Sequence, residues 1–120
     1  MTTIDRYQNL IEKITRFRDE RNWRQFHTLQ ALITSTCLET AELLELTQWQ
    51  STQDIDKRMS DPEFMTRLQE ETADVLLYLL QIADKAGFDL VEAAHDKMTQ
   101  NAEKYPIEKA NNSAKKYSSL

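Results

Sequence analysis

The chain has 120 residues, with one Cys, one Gly, two Pro and a net charge of −5 at neutral pH. That length suits one domain with its own core, and the lone Cys37 rules out an intramolecular disulfide. No apolar run reaches the length of a membrane span, no signal-peptide core is evident, and the acidic balance argues against binding a nucleic-acid polymer. A cytoplasmic protein without a membrane partner is the expectation.

With few turn residues and no sustained period-2 run, the fold is expected to be all-α. The first helix is predicted over about 3–20. Its apolar stripe is Ile4, Tyr7, Leu10, Ile11, Ile14 and Phe17, and Thr2 or Thr3 supplies a cap. Residues 21–27 (RNWRQFH) break the period and read as a connector dense in aromatics. The second helix follows Thr28 as N-cap and runs to about Trp49. Leu29, Leu32, Ile33, Leu43, Leu44 and Leu46 predict burial on more than one side. Residues 50–60 are polar and read as a surface loop with room for a short helical turn.

Asp61-Pro62 is a strong start for the third helix, which carries Phe64, Met65, Leu68, Val75, Leu76, Leu79, Leu80 and Ile82. It stops at Gly87, the one residue suited to a left-handed terminus. Asp89 with Glu92 resembles a capping box for a fourth helix (Leu90, Val91, Ala94, Met98) that ends before Pro106. The expected architecture is a four-helix bundle over 1–106 with antiparallel central helices, followed by a polar tail over 107–120.

The chemistry concentrates in two acidic pairs. Three residues along a helix turn about 300° and climb about 4.5 Å, so Glu39 and Glu42 stack on one face. Stacked like charges cost a few tenths of a kcal/mol, which a cation offsets. Glu71 and Asp74 repeat the spacing inside the second long apolar helix, where an unpaired Asp74 among Ala73, Val75, Leu76 and Leu77 is costly to bury. Two such pairs facing each other build an oxygen-lined cage suited to a hard divalent cation, foremost Mg²⁺. From Glu39 to Asp74 ten acids face three bases, net −7, whereas five lysines against two acids make the stretch from Lys97 onward +3. The plain alternative is a set of solvated helix faces, since Glu is a good helix former. Glu45 and Glu70 read as outlying or solvated. A di-iron carboxylate bundle requires Glu-x-x-His pairs, which His27 and His95 do not form.

Trp23, His27, Trp49 and Tyr78 are candidates for a base-stacking pocket, worth about 1–3 kcal/mol per stacked base; the alternative is ordinary helix packing. Lys97 and Asn101 share one helix face. His95 reads as a surface residue and Cys37 as a buried small one. There is no Gly-rich phosphate loop and no covalent nucleophile in a recognisable setting, which favours direct attack by water.

Leu43 to Trp49 (LLELTQW), Glu70 to Leu80 (EETADVLLYLL) and Lys97-Met98 through Asn101 to Lys104-Tyr105-Pro106 closely resemble the MazG-like all-α nucleoside triphosphate pyrophosphatases. The nearest branch is the dCTP pyrophosphatase type. Arg18 to Trp23 with Gln25 to Thr28, and the tail Ser113 to Tyr117, are similar to that branch as well. The resemblance implies hydrolysis of a nucleoside triphosphate to monophosphate and pyrophosphate, as house-cleaning of dCTP or a modified nucleotide. It also implies Mg²⁺, with Mn²⁺ as its substitute, and assembly as a homodimer or homotetramer. Glu39, Glu42, Glu71 and Asp74 match the family's E-x-x-E and E-x-x-D as metal-binding and catalytic residues. Trp23, His27, Trp49 and Tyr78 would then contact the base, and Lys97 and Asn101 the phosphates. The chain departs from the branch at Leu29-Gln30-Ala31, where Pro, a basic residue and Asn are usual, and at Asn111-Asn112, where Arg-Gly is usual. These changes bear on substrate contacts and leave the acidic cage intact. A rival from another class is a non-catalytic helical interaction protein, which predicts no Mg²⁺-dependent change in thermal stability.

Overall fold

The computed structural model describes residues 5–120, so the expected cap at Thr2 or Thr3 and the stripe position Ile4 lie outside the described residues. Within that range the regular structure is helical: α1 (Arg6–Glu20), α2 (Leu29–Glu45), α3 (Thr52–Arg58), α4 (Pro62–Ala86), α5 (Leu90–Lys104) and α6 (Ile107–Ala110). Two 3₁₀ turns, Arg24–Phe26 and Tyr117–Ser119, complete it. The all-α expectation is met. The four long helices are those read from the sequence; α3 fills the stretch given room for a short helical turn, and α6 is an addition.

Each start has a local cause. Asp5 caps α1, its carboxylate accepting from the N–H groups of Tyr7 and Gln8 at 3.0 and 3.2 Å. Thr28 Oγ1 accepts from Ala31 at 3.1 Å, Asp61 from Glu63 at 3.1 Å, and Asp89 from Glu92 at 3.0 Å. Helix α3 forms inside the stretch read as a loop because Ser51 Oγ accepts from the Asp54 N–H at 3.1 Å. Asp54 in its first turn and Lys57 and Arg58 in its last also complement the helix dipole. Gly87, at φ +81°, ends α4 in the left-handed region that costs glycine nothing.

By its contacts the chain divides into two compact units, Met1–Gly87 and Phe88–Leu120. In the first, α4 packs on both α2 and α1. Its core is Leu32 and Leu46 from the α2 region and Phe64, Leu80 and Ala83 from α4. Arg58 ties one end together: its Nη1 donates to the Leu46 carbonyl at 3.1 Å and to Gln50 Oε1 at 2.8 Å. The same guanidinium lies 4.3 Å from the Phe64 ring centroid. The end of α2 therefore sits beside the start of α4, as antiparallel packing requires.

Helix α2 differs from expectation in two respects. It stops at Glu45 rather than near Trp49, because the Leu46 and Thr47 N–H groups bond back to Leu43 and Leu44 in a tightened last turn. Burial on several sides is also not realised within one chain. Leu29, Ile33, Leu38 and Leu44 stay 42–62% exposed. Cys37, expected to be buried, is exposed on the same helix, since α4 covers only one face of α2.

In the second unit the expected polar tail is ordered by its aromatics. Tyr117 meets Tyr105 edge to face, with centroids 6.1 Å apart, and Lys104 Nζ lies 4.8 Å from the Tyr117 ring centroid. His95 is exposed, as read. No helix among the described residues is long and apolar enough to cross a membrane.

Candidate functional site

Glu39 and Glu42 on α2 meet Glu71 on α4, with one carboxylate oxygen from each lying within 4.8 Å of the others. Oxygens around a single cation stand up to about 4.2 Å apart for Mg²⁺ and about 5 Å for Ca²⁺, so this trio matches the span of one hard ion. Asp74 lies outside that trio, one helical step from Glu71, and lines a cavity together with Glu39. Glu45 and Glu70 are exposed, as expected of outlying acids.

The electrostatics of the cluster are unfavourable without a cation. The Glu39 carboxyl is pushed up chiefly by loss of solvent, then by its hydrogen bond with Glu42 and by the charges of Glu42, Asp74 and Glu71. Glu71 is pushed up by loss of solvent and by the charges of Glu42 and Asp74, against a weaker opposing effect of Arg67. Glu39 Oε2 and Glu71 Oε2 are buried without a hydrogen-bond partner. Buried acceptors left unmet are costly. Three converging carboxylates, two of them with orphaned oxygens, form a donor set that fits a divalent cation.

Beside the cluster opens a cavity of about 430 Å³, within the usual range for small-molecule sites. Trp23, His27 and Tyr78 line it, as the sequence predicts for a base pocket, together with Glu39 and Asp74. Tyr78 follows Asp74 by one turn of α4, and Leu77 and Gln81 extend the same wall.

The connector after α1 places the aromatics. Asn22 adopts φ +55°, a left-handed turn that asparagine tolerates, and the Trp23 N–H bonds back to the Arg18 carbonyl at 3.0 Å. Trp23 then packs edge to face on Phe17, with centroids 5.7 Å apart. Arg21 lies over Phe17 at 3.6 Å from its centroid. His27 follows the 3₁₀ turn, 6.2 Å from the Trp23 ring, with Nδ1 buried and unpaired.

Three of the expected contacts lie outside the residues that line this cavity. Trp49 does not line the cavity; it is 93% exposed just beyond α2, at φ +65°. Such a backbone is rare for a bulky side chain. Lys97, exposed, and Asn101, half-buried, lie one turn apart on α5 in the other unit.

Sequence reasoning missed the wall contributed by α1: Leu10, Lys13, Ile14, Phe17 and Arg18. Their spacing of 3, 1, 3 and 1 is that of one helical face. The available signal was the pair of cations on an otherwise apolar stripe. Arg18 is held by two carboxylates. Its Nε and Nη2 donate to Asp19 at 2.9 and 3.3 Å, and its Nη1 to Asp84 on α4 at 3.4 Å. The hydrogen bond from Arg18 holds Asp19 below the usual carboxylate range and Arg18 above its own ordinary value.

Comparison with known proteins adds the context for this geometry. The pattern of the MazG-like family matches residues 34–120. The chain is similar to dCTP pyrophosphatase 1 of Mus musculus, at 38% identity over 104 residues, 87% of this chain and 61% of that protein. The Homo sapiens protein of the same name is likewise 38% identical over 104 residues, with the same coverage. The chain thus spans about three fifths of the length of these curated relatives. Among solved structures, a pyrophosphatase from Archaeoglobus fulgidus DSM 4304 superposes with a TM-score of 0.81 at 36% identity, covering 88% of this chain and 97% of that one.

Proposed function

Because this chain belongs to the MazG-like family, we propose that it is a cation-dependent pyrophosphohydrolase of nucleoside triphosphates. The products are a nucleoside monophosphate and pyrophosphate, and the substrate class is dCTP or a modified deoxynucleotide, removed as house-cleaning in the cytoplasm. The observation that carries this reading is the trio of carboxylate oxygens within 4.8 Å, two of the residues bearing orphaned buried oxygens, at the edge of an aromatic cavity.

In this reading Glu39, Glu42 and Glu71, with Asp74 beside them, hold Mg²⁺ or Mn²⁺. Bound there, such a cation would supply charge neutralisation for the triphosphate and support for in-line attack by water. The protein's own groups do the rest. Trp23, Phe17 and Tyr78 wall the space for the base, and Leu10, Ile14 and Leu77 keep water from it. A carboxylate of the cluster takes the proton of the attacking water. Glu42 and Glu39 are the candidates for that base, since both belong to the carboxylate trio. The water oxygen bonds to the α-phosphorus, the bond to the bridging oxygen breaks, and pyrophosphate departs. Lys97 and Asn101 are proposed to contact the phosphates.

The exposed face of α2 and the exposed Trp49 support assembly with a second copy, as a homodimer or homotetramer. Apolar residues left 42–93% exposed over one continuous stretch of chain find cover most simply in two-fold association. Light scattering at micromolar concentration is expected to give a multiple of 14.1 kDa; a stable monomer would refute the assembly.

Hydrolysis in ¹⁸O-labelled water tests the reaction. Label is expected in the monophosphate and none in pyrophosphate. Label in pyrophosphate, or orthophosphate as first product, rules out attack at the α-phosphorus.

A further inference from the structure

The α1 wall of the cavity holds a cation that the hydrolytic reading leaves without a role. Arg18 lines the cavity where it meets Asp84, ten residues and about 15 Å along α4 from Asp74, and its side chain is only 12% exposed. A guanidinium carries five N–H donors. Three are engaged, two by Asp19 and one by Asp84, which leaves two. Donors on a largely buried side chain that lines a cavity require an acceptor when that cavity is filled.

The chemistry of the acceptor follows from the charge around it. One guanidinium shared by two carboxylates carries a local net charge of −1, and Lys13 on the same wall only neutralises it, so this end has no surplus positive charge to hold phosphate. The phosphates instead belong at the other end of the cavity, where Glu39 and Asp74 adjoin the candidate cation site. Between the two ends stand Ile14, Phe17, Trp23 and Leu77, a stacking space for a flat ring. The uncharged acceptor best matched to a planar fork of N–H groups at the far edge of that ring is a base carbonyl, as in arginine pairing with guanine O6.

We propose that Arg18 is a specificity-determining residue of this cavity, using its two uncommitted N–H groups to bind the carbonyl edge of an oxo-base and so disfavour adenine. This rests on the nucleotide reading of the same site. Asp19 and Asp84 act by position, since tethering from α1 and α4 fixes the plane of the fork before the ligand arrives. Adenine has no carbonyl; a ring nitrogen can accept from one arm of the fork, but the exocyclic amine beside it presents donors to the other, which is left unmet. A site built to hydrogen-bond one partner rejects such an analogue strongly.

The test compares wild type with Arg18→Met, which keeps the apolar stem, and with Asp84→Asn, which weakens the tether on the fork without removing the guanidinium. Two measurements are made: kcat/KM on dATP, dGTP, dCTP and dTTP, and equilibrium binding of their α,β-methylene analogues. Binding reads the contact independently of turnover. Arg18→Met is expected to weaken the three oxo-base nucleotides by about ten- to a hundredfold, the cost of losing a charged hydrogen bond, with dATP changed by less than about threefold. Asp84→Asn shifts preference in the same direction by less. A uniform loss across all four bases, or an equal loss in binding tripolyphosphate, overturns the proposal in favour of a phosphate contact or a purely structural role. Unchanged base preference also overturns it. Wild-type protein that binds the analogues but cleaves no triphosphate refutes the pyrophosphohydrolase reading instead, and leaves the binding comparison to decide on Arg18. If Arg18→Met does not fold, Arg18→Lys serves, because an ammonium cannot present the planar fork and must also relax the preference.

Discussion

Adding Mg²⁺ to the metal-free protein should stabilise it, and Glu39→Gln should abolish most of that gain without lowering the metal-free melting temperature. Unfolding entropy is about 2.1 cal/mol/K per residue, so 120 residues give about 0.25 kcal/mol/K. A ligand at about a hundred times its Kd stabilises by about 2.7 kcal/mol, hence a rise in Tm of about 11 °C. Glu39 supplies one of three converging carboxylates. If its loss weakens binding about a hundredfold, the same Mg²⁺ concentration leaves RT ln 2, about 0.4 kcal/mol, or under about 2 °C. In the metal-free state the substitution removes a charge that Glu42, Asp74 and Glu71 oppose, so Tm at pH 7 should hold or rise.

The pH dependence has a definite sign. Glu39 and Glu71 bind protons more readily folded than unfolded, so their contribution to stability is full at acid pH and is lost as pH rises through their folded values. Metal-free wild type should therefore gain from this pair as pH falls from neutral through their raised folded values, and Glu39→Gln should show a flatter profile. The assay is calorimetry after dialysis against chelator, at fixed protein concentration because assembly makes Tm concentration-dependent. A Mg²⁺ shift of equal size in both proteins, or none in wild type, would refute the cation site and restore the plain helical scaffold.

Glu42→Gln and Asp74→Asn should each lower turnover of a nucleoside triphosphate by orders of magnitude, with the far-ultraviolet circular dichroism unchanged; steady-state kinetics check this. Trp23→Ala and His27→Ala should raise KM and blur base preference while leaving Mg²⁺ affinity within about threefold, because both line the cavity outside the carboxylate trio. Leu80→Ala, at a position 3% exposed in the α2–α4 core, should cost about 2–5 kcal/mol in urea unfolding. Gly87→Ala should cost about 1–2 kcal/mol through its φ of +81° alone, since an added Cβ meets nothing within 4 Å.

The acidic pairs were legible in the chain because helical spacing is a local property. Glu39 with Glu42, and Glu71 with Asp74, lie on single faces whatever surrounds them, and Thr28, Asp61-Pro62 and Gly87 punctuate their helices by chemistry confined to one turn. Trp23 and His27 stood out as aromatics too dense for a solvated connector, and both line the cavity. Helix α3 was legible only as room for a short helical turn because its one half-buried apolar residue, Ile55, sets no periodic stripe, and its stability comes from a cap and complementary charges.

Only the tertiary structure could decide which side of each helix has a neighbour. The apolar run of α2 predicts burial all round, yet α4 covers one face, and Leu44, Cys37 and Trp49 stay exposed. Periodicity reports that a face is apolar and is silent on what covers it. The α1 stripe was likewise visible as a core face, while its second use as a cavity wall was not. That use depends on Trp23 folding back over Phe17, and on Asp84, 66 residues away in sequence, reaching Arg18. Pairings between distant positions leave no mark on local spacing, so the chain alone announced the acidic pairs, and its folding alone brought them together and shaped the pocket beside them.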